Sequence, residues 1–190
     1  MRTQDEQKKE ALFEATIKLV NEIGFAASSV SKIAKEASVS PSTLYVYYKN
    51  KEELLVSTYI ELKHQLSDAI LMDFNEDLPI RDIMRQVWYS TFEYASRNLE
   101  YFKFMEQFAN SPYSDLVDQE AVERYFSPLI NVVLRGIEQK IIKNVNPDLI
   151  GAFLFHPVAR LANPRLCKFG EFTESDIETA FSMAWDAIKL

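Results

Sequence analysis

Residues 38–54 read SVSPSTLYVYYKNKEEL. This stretch sets Tyr45, Tyr47 and Tyr48 within four positions, behind a Ser-Pro-Ser-Thr and ahead of Lys49 and Lys51. Ser40 followed by Pro41 is a helix start, because a serine hydroxyl accepts an otherwise unpaired amide and proline at the first helical position forfeits no intrahelical bond. At about 100° per residue, Pro41, Leu44 and Tyr48 share one face, Ser42, Thr43 and Val46 the opposite one, and Tyr45 and Tyr47 the flanks. The first face suits packing, with Tyr48 as its tyrosine. Small hydroxyls and a valine on the opposite face can approach base edges and thymine methyls, while phenols on the flanks can donate to phosphates. Lys49 and Lys51, at the mouth of the next helix, add positive charge near the same backbone.

Upstream, residues 5–23 form an amphipathic helix on the spacing of Leu12, Ala15, Leu19 and Ile23, and Gly24 stops it. Ser28 or Ser29 caps a second helix that runs to about Ala37, with Val30, Ile33, Ala34 and Ala37 inward. A three-residue turn, Ser38-Val39-Ser40, then leads into the helix at Pro41. Two short helices joined in this way form the arrangement that lays the second of them into the DNA major groove. Downstream, Asn50 caps a long helix towards Met72, with Leu54, Leu55, Thr58, Leu62 and Leu66 on one side. Further helices are expected at about 79–97, 100–110, 116–143, 147–163 and 174–189. Pro128 and Pro157 fall inside two of these and are expected to kink them or to mark breaks. The fold class is all-α with about nine helices: a three-helix helix-turn-helix domain over 1–50 and a larger helical domain over 51–190.

Composition narrows the function. With 4 glycines, 7 prolines and 47 % hydrophobic residues in 190, the chain is mostly regular structure. Residues 1–55 carry 8 Lys/Arg and 8 Asp/Glu, and residues 56–190 carry 13 and 20, so the whole charge of −7 lies in the second part. A neutral N-terminal module can still gather positive charge on one face, while an acidic body is repelled by polyphosphate and helps orient the encounter. The start, MRTQDEQKKEAL, lacks an apolar run of signal-peptide length, and no window approaches the roughly 18 apolar residues of a membrane span. A cytoplasmic protein with no membrane partner is expected. The single Cys167 can form no internal disulfide and reads as a buried or tolerated thiol.

Residues 8–56, which include EATIKLVNEIGFAASSVSKIAKEASVSPSTLYVYYKNKEELL, resemble the DNA-binding domain of the TetR family of transcriptional regulators. The likeness is carried by the first-helix apolar pattern closed by Gly24-Phe25, Ser29-Val30, Ile33-Ala34, Val39-Ser40, Thr43-Leu44-Tyr45, Tyr48, Lys51-Glu52 and Leu54. It implies DNA contacts by Ser29, by Ser42, Thr43, Tyr45 and Tyr47 of the recognition helix, and by Lys51 on a phosphate. Val46 and Lys49 join them from the helical wheel and the charge. Ser38 stands where the family usually has glycine, so it adopts a left-handed conformation at some cost or the turn differs. Pro41-Ser42 replaces a residue plus glycine, and Tyr48 replaces the usual phenylalanine.

After about residue 60 the resemblance implies only an architecture: a helical body that dimerises and holds a small effector. Between residues 86 and 126 lie 11 of the 24 aromatics, which favours a pocket for an apolar or aromatic ligand. Trp88 and Phe92, one turn apart, and the stripe Tyr101, Phe104, Met105 and Phe108 are its expected walls. Tyr125 joins them, and Phe153, Phe155 and His156 close the far end. Glu93 and Glu106 are either counter-ions for a cationic ligand or solvated positions. The resemblance assigns the last two helices to a two-fold interface, with Phe153, Phe181, Ala184 and Ile188 as the expected seam.

The implied function is a ligand-responsive regulator, a homodimeric repressor that binds a palindromic operator in double-stranded DNA and is released by its effector. The alternative is a helical ligand-carrier or protein-interaction module without DNA binding; Ser42, Thr43, Tyr45 and Lys51 together argue against it. Glu61 and His64 have the Glu-x-x-His spacing of di-iron bundles, but His156 has Phe153 three positions earlier, so the second copy such a site needs is missing. No phosphate loop, nucleophile elbow or zinc spacing occurs, so no enzyme, cofactor or metal is expected.

Overall fold

The computed structural model describes residues 3–166 and 172–190. Cys167 lies outside the described residues. These residues form eleven α-helical segments: α1 (Gln4–Ala27), α2 (Val30–Glu36), α3 (Pro41–Tyr47), α4 (Lys51–Leu71), α5 (Ile80–Arg97), α6 (Leu99–Ala109), α7 (Gln119–Glu123), α8 (Ser127–Glu138), α9 (Pro147–Leu154), α10 (His156–Leu161) and α11 (Glu174–Ile188). Two of the expected segments are divided. The stretch read as 116–143 holds α7, a 3-10 turn and α8, and the one read as 147–163 holds α9 and α10. Pro128 and Pro157 each stand second in the new helix. There the missing amide hydrogen has no intrahelical partner to lose, so the chain restarts rather than bends.

Helix ends follow side-chain chemistry. Thr3 and Glu6 form a reciprocal capping box at α1, as Thr173 and Asp176 do at α11. Inside the last turn of α1, Gly24 has φ 76° and ψ 169°, a region open essentially to glycine alone. Helix α2 ends in two crossed bonds, Ser38 N–H to Lys35 O at 3.1 Å and Val39 N–H to Ala34 O at 2.9 Å. That closure needs a left-handed residue between, and Ser38 supplies it with φ 56°. Helix α8 closes in the same way through Lys140, φ 57°.

The chain forms two compact units, residues 1–63 with 100–119 and residues 64–99 with 120–190. These packing units cut the chain differently from the division expected at residue 50: residues of α4 belong to both, and α6 is built into the first. In the first unit, Leu12, Ala15, Ile33, Ala34, Ala37, Leu44 and Leu54 form one core cluster. Helix α1 is buried on a second face too, through Phe13, Ile17 and Val20, and α6 reaches the helix at Phe13 and Asn21. Phe13 meets Tyr101 edge-on at 5.8 Å, and Asn21 Nδ2 donates to the Glu100 carbonyl at 2.8 Å. The apolar stripe read from sequence is therefore only half of the helix's buried surface, and its last member, Ile23, is exposed.

In the second unit α5 packs on α10, α8 and α11. Gly136 permits a close approach here: a Cβ added to it would lie 2.6 Å from Ile142 Cδ1. Ile142 in turn makes an isolated antiparallel bridge with Lys189, tying the end of the chain to the segment after α8.

Candidate nucleic-acid interface and effector region

The interface is built on three capped helix starts. At α2 the cap is Ser29, whose hydroxyl accepts the Lys32 amide at 3.3 Å. Ser28, the other candidate, is buried and donates its hydroxyl to the Gly24 carbonyl at 2.7 Å. At α3, Ser40 Oγ accepts the Thr43 amide at 3.1 Å and lies 2.7 Å from Ser42 Oγ and 2.8 Å from Thr43 Oγ1. At α4, Asn50 Oδ1 accepts the Glu53 amide at 2.8 Å.

Helix α3 is oriented by Leu44, which is fully buried, and by Tyr48, half-buried against the core cluster. Burial pushes the Tyr48 phenol above its ordinary pKa, with smaller contributions from Glu61 and Glu53. Anchoring that face leaves the opposite one in solvent: Val46 is 77 % and Tyr45 55 % exposed, and Ser42 is exposed. Thr43 is partly buried. The exposed hydroxyls keep capacity for further hydrogen bonds, and Val46 is an apolar surface of the size of a thymine methyl contact.

Two expected phosphate ligands have protein partners. The Tyr47 hydroxyl donates to Asp5 Oδ1 at 2.8 Å, and Lys9 Nζ lies 5.6 Å from the ring centroid. The hydrogen bond to Asp5 raises the Tyr47 phenol above its ordinary pKa, with burial adding to it. The Lys51 ammonium donates to the Phe25 carbonyl and so ties the start of α4 to the end of α1. Lys49 is exposed, with its backbone amide on Glu53 Oε2 at 2.5 Å. Asp5 and Lys9 were not among the residues singled out from sequence. They lie on α1, 42 and 38 positions before Tyr47, and no local pattern links them; the acidic first turn of α1 reads as a helix-dipole feature alone.

The expected aromatic pocket is redistributed. Tyr101, Met105 and Phe108 belong to the first unit, where Met105 is buried and Tyr101 and Phe108 hold α6 against α1 and α4. Phe108 stacks on Tyr59 at 4.4 Å, Phe25 packs on Phe104, Phe108 and Tyr113, and the Tyr101 hydroxyl donates to Glu14. Trp88 and Phe92 belong to the second unit, stacked at 6.1 Å, with Phe181 edge-on to Trp88 at 5.9 Å. Trp88 is fully buried, and its indole N–H has no hydrogen-bond partner among the described residues. Tyr125 is half-buried beside His64, their rings 5.0 Å apart. Phe153 and His156 are exposed, so neither closes an interior cavity within the described chain.

Of the expected dimer seam, Phe181, Ala184 and Ile188 are buried within the single chain, and Phe153 is exposed. Apolar spacing cannot tell an intrachain face from an interchain one, and α11 turns this stripe onto α9 and α5. On α9 and α11 the large apolar side chains left in solvent are Leu149, Phe153 and Met183, at 49 %, 56 % and 69 % exposure, and α8 exposes Ile130 and Leu134 as well. His64 has Asp68 at 3.4 Å, and among the described residues no group of three or more His, Cys, Asp or Glu is placed to hold a metal. No helix among them is long and apolar enough to cross a membrane.

Comparison with known proteins agrees with this arrangement. Residues 8–58 match the model for bacterial regulatory proteins of the tetR family, and residues 79–189 match that for a tetracyclin repressor-like C-terminal domain. A TetR family transcription regulator from Marinobacter aquaeolei VT8 superposes with a TM-score of 0.90 at 37 % identity, over 100 % of this chain and 99 % of that one. An HTH-type transcriptional regulator of Haemophilus influenzae is 31 % identical over 103 residues, 54 % of this chain; the chain spans about half, 55 %, of that curated relative's length. The FadR regulator from Bacillus subtilis, in complex with stearoyl-CoA, shares the fold at a TM-score of 0.73 and 20 % identity, over 94 % of this chain and 97 % of that one. The chain belongs to the tetR family: it is a transcriptional regulator with a helix-turn-helix DNA-binding domain, and not an enzyme.

Proposed function

We propose that the protein is a homodimeric, effector-released repressor that acts in the cytoplasm on a palindromic operator. The observation that carries this reading is the outward face of α3, where Ser42, Tyr45 and Val46 stand in solvent on a helix anchored from behind by Leu44 and Tyr48. Base edges are read by Ser42, Thr43 and Val46, and phosphates are met by Ser29, Tyr45, Tyr47, Lys49 and Lys51. Two such helices related by a two-fold axis read half-sites about one DNA turn apart. The pairing surface is the exposed apolar set Leu149, Phe153 and Met183.

The effector is apolar or aromatic and carries a hydrogen-bond acceptor. Trp88 supports this, since its buried indole N–H has no partner among the described residues, and such a donor costs about 1–3 kcal/mol that an acceptor on a ligand would recover. The stearoyl-CoA complex of the Bacillus subtilis regulator puts long-chain acyl compounds in the same test set as planar aromatic ones. Release requires that the effector favour the state that binds DNA poorly, and α4, continuous through both units, is the element that carries the change.

Fluorescence anisotropy on duplexes covering the DNA that flanks the protein's own gene tests the reading. The expected result is tight, salt-sensitive binding to one palindromic segment, lost on adding an effector that also quenches Trp88. Salt-sensitive binding to no segment would overturn it. Light scattering tests the pairing surface: Phe153→Glu with Met183→Glu should yield a folded monomer, and an unchanged dimer would assign the interface elsewhere.

A further inference from the structure

Tyr47 closes α3 at the edge of the DNA-facing surface, with its ring packed against the core cluster. Its hydroxyl is the end that remains to make a polar contact, and a phenol has one proton to donate. In the structure that proton goes to Asp5 Oδ1 at 2.8 Å. Asp5 is held in place independently of Tyr47. It lies in the first turn of α1, where the helix dipole favours an anion, and the Thr3–Glu6 capping box fixes that turn through bonds of 2.7 and 3.2 Å. Lys9, one turn further along α1, lies over the Tyr47 ring at 5.6 Å.

A DNA phosphate is the same kind of acceptor as the Asp5 carboxylate, anionic and oxygen-bearing, and the two cannot approach one donor together without strong repulsion. On the reading of α3 as the groove-entering helix, we propose that Asp5 is a restraint on DNA affinity: its carboxylate occupies the Tyr47 hydroxyl that a backbone phosphate would otherwise take. Binding then exchanges the Asp5–Tyr47 bond for a phosphate–Tyr47 bond, and Lys9 remains as the cation beside the incoming phosphate. Because a phosphate carries no sequence information, the restraint acts on operator and non-operator DNA alike and keeps the regulator from being held on bulk DNA.

The test is a double-mutant cycle on the full chain, with Asp5→Asn, Tyr47→Phe and the double variant, titrated by anisotropy with a bound duplex from the flanking DNA and a scrambled duplex of equal length. Asp5→Asn should tighten binding about threefold to tenfold on both duplexes and steepen the salt dependence by up to about 1 in log–log slope. Added to Tyr47→Phe, the same change should give less than about a twofold gain. Equal gains in both backgrounds would reduce Asp5 to a remote charge and overturn the proposal, as would unchanged or weaker binding by Asp5→Asn. Asp5→Ser, which also suits a helix start, repeats the measurement if the asparagine variant is less helical. Failure of the unmutated protein to bind either duplex overturns the interface reading as well; binding without Asp5–Tyr47 coupling overturns this inference alone.

Discussion

The Lys51 ammonium donates to the Phe25 carbonyl, joining the first turn of α4 to the end of α1 across 26 positions. One lysine thus braces the helix-turn-helix from behind while its remaining donors stay available to an anion. Lys51→Ala is expected to weaken binding to operator and scrambled DNA by a similar factor and to flatten the log–log salt dependence by about 1. The variant should also lose about 1 kcal/mol of stability, read from urea unfolding, because a carbonyl loses a charged donor. A change in base preference would place Lys51 on a base rather than on the backbone.

Val46 and Thr43 are expected to behave in the opposite way. Val46→Ala and Thr43→Ala should narrow the gap between the operator and single-mismatch sites, which is about 1–3 kcal/mol per mismatched base pair in a specific complex. Competition titrations with a set of single-substitution operators measure it, and stability should stay within about 0.5 kcal/mol for Val46→Ala, since that side chain is 77 % exposed.

The turn between α2 and α3 carries a conformational cost at Ser38, φ 56°. A left-handed L-residue costs about 1–2 kcal/mol, and the greater freedom of glycine in the unfolded chain offsets part of what glycine regains. Ser38→Gly should therefore raise stability by about 0.5–1 kcal/mol, or roughly 1–4 °C in Tm. Gly24→Ala should do the reverse by about 1–3 kcal/mol: an added Cβ meets no atom within 4 Å, so the loss is purely conformational. Calorimetry on the two variants separates the signs.

Glu178 joins α11 to α5 through Arg85, at 2.6 and 3.1 Å, and Tyr89, at 2.6 Å. These bonds, Arg85's first, hold its carboxyl below the ordinary 4.5. A depressed folded value means that the contribution is complete above the ordinary pKa and disappears as pH falls through the folded one. Because Glu178 and Arg85 are nearly half exposed, solvent limits the contribution to about 1 kcal/mol or less. Glu178→Gln should lower the unfolding midpoint at pH 7, with the difference from the parent shrinking below pH 4.5 and gone in strong acid. A difference that persists in acid would mean the variant disturbs packing instead.

Much of the DNA-facing half was legible because its determinants are local. Ser40-Pro41 starts α3 through bonds that span three residues, Leu44 and Tyr48 set which face turns inward, and Asn50 starts α4. Pro128 and Pro157 marked where helices restart for an equally local reason, the missing amide hydrogen. What only the tertiary structure decided is where each helix face is covered. Apolar spacing reports that a face is buried and not what buries it. Thus Phe108 packs on Tyr59 within the first unit, and Phe181 packs on Trp88 within the second. The same holds for the tyrosines of the opening stretch. Period and cap told Tyr48 from its neighbours, but the bond that engages Tyr47 runs to Asp5, 42 residues away, and pairing at that distance is set by how α1 and α3 pack.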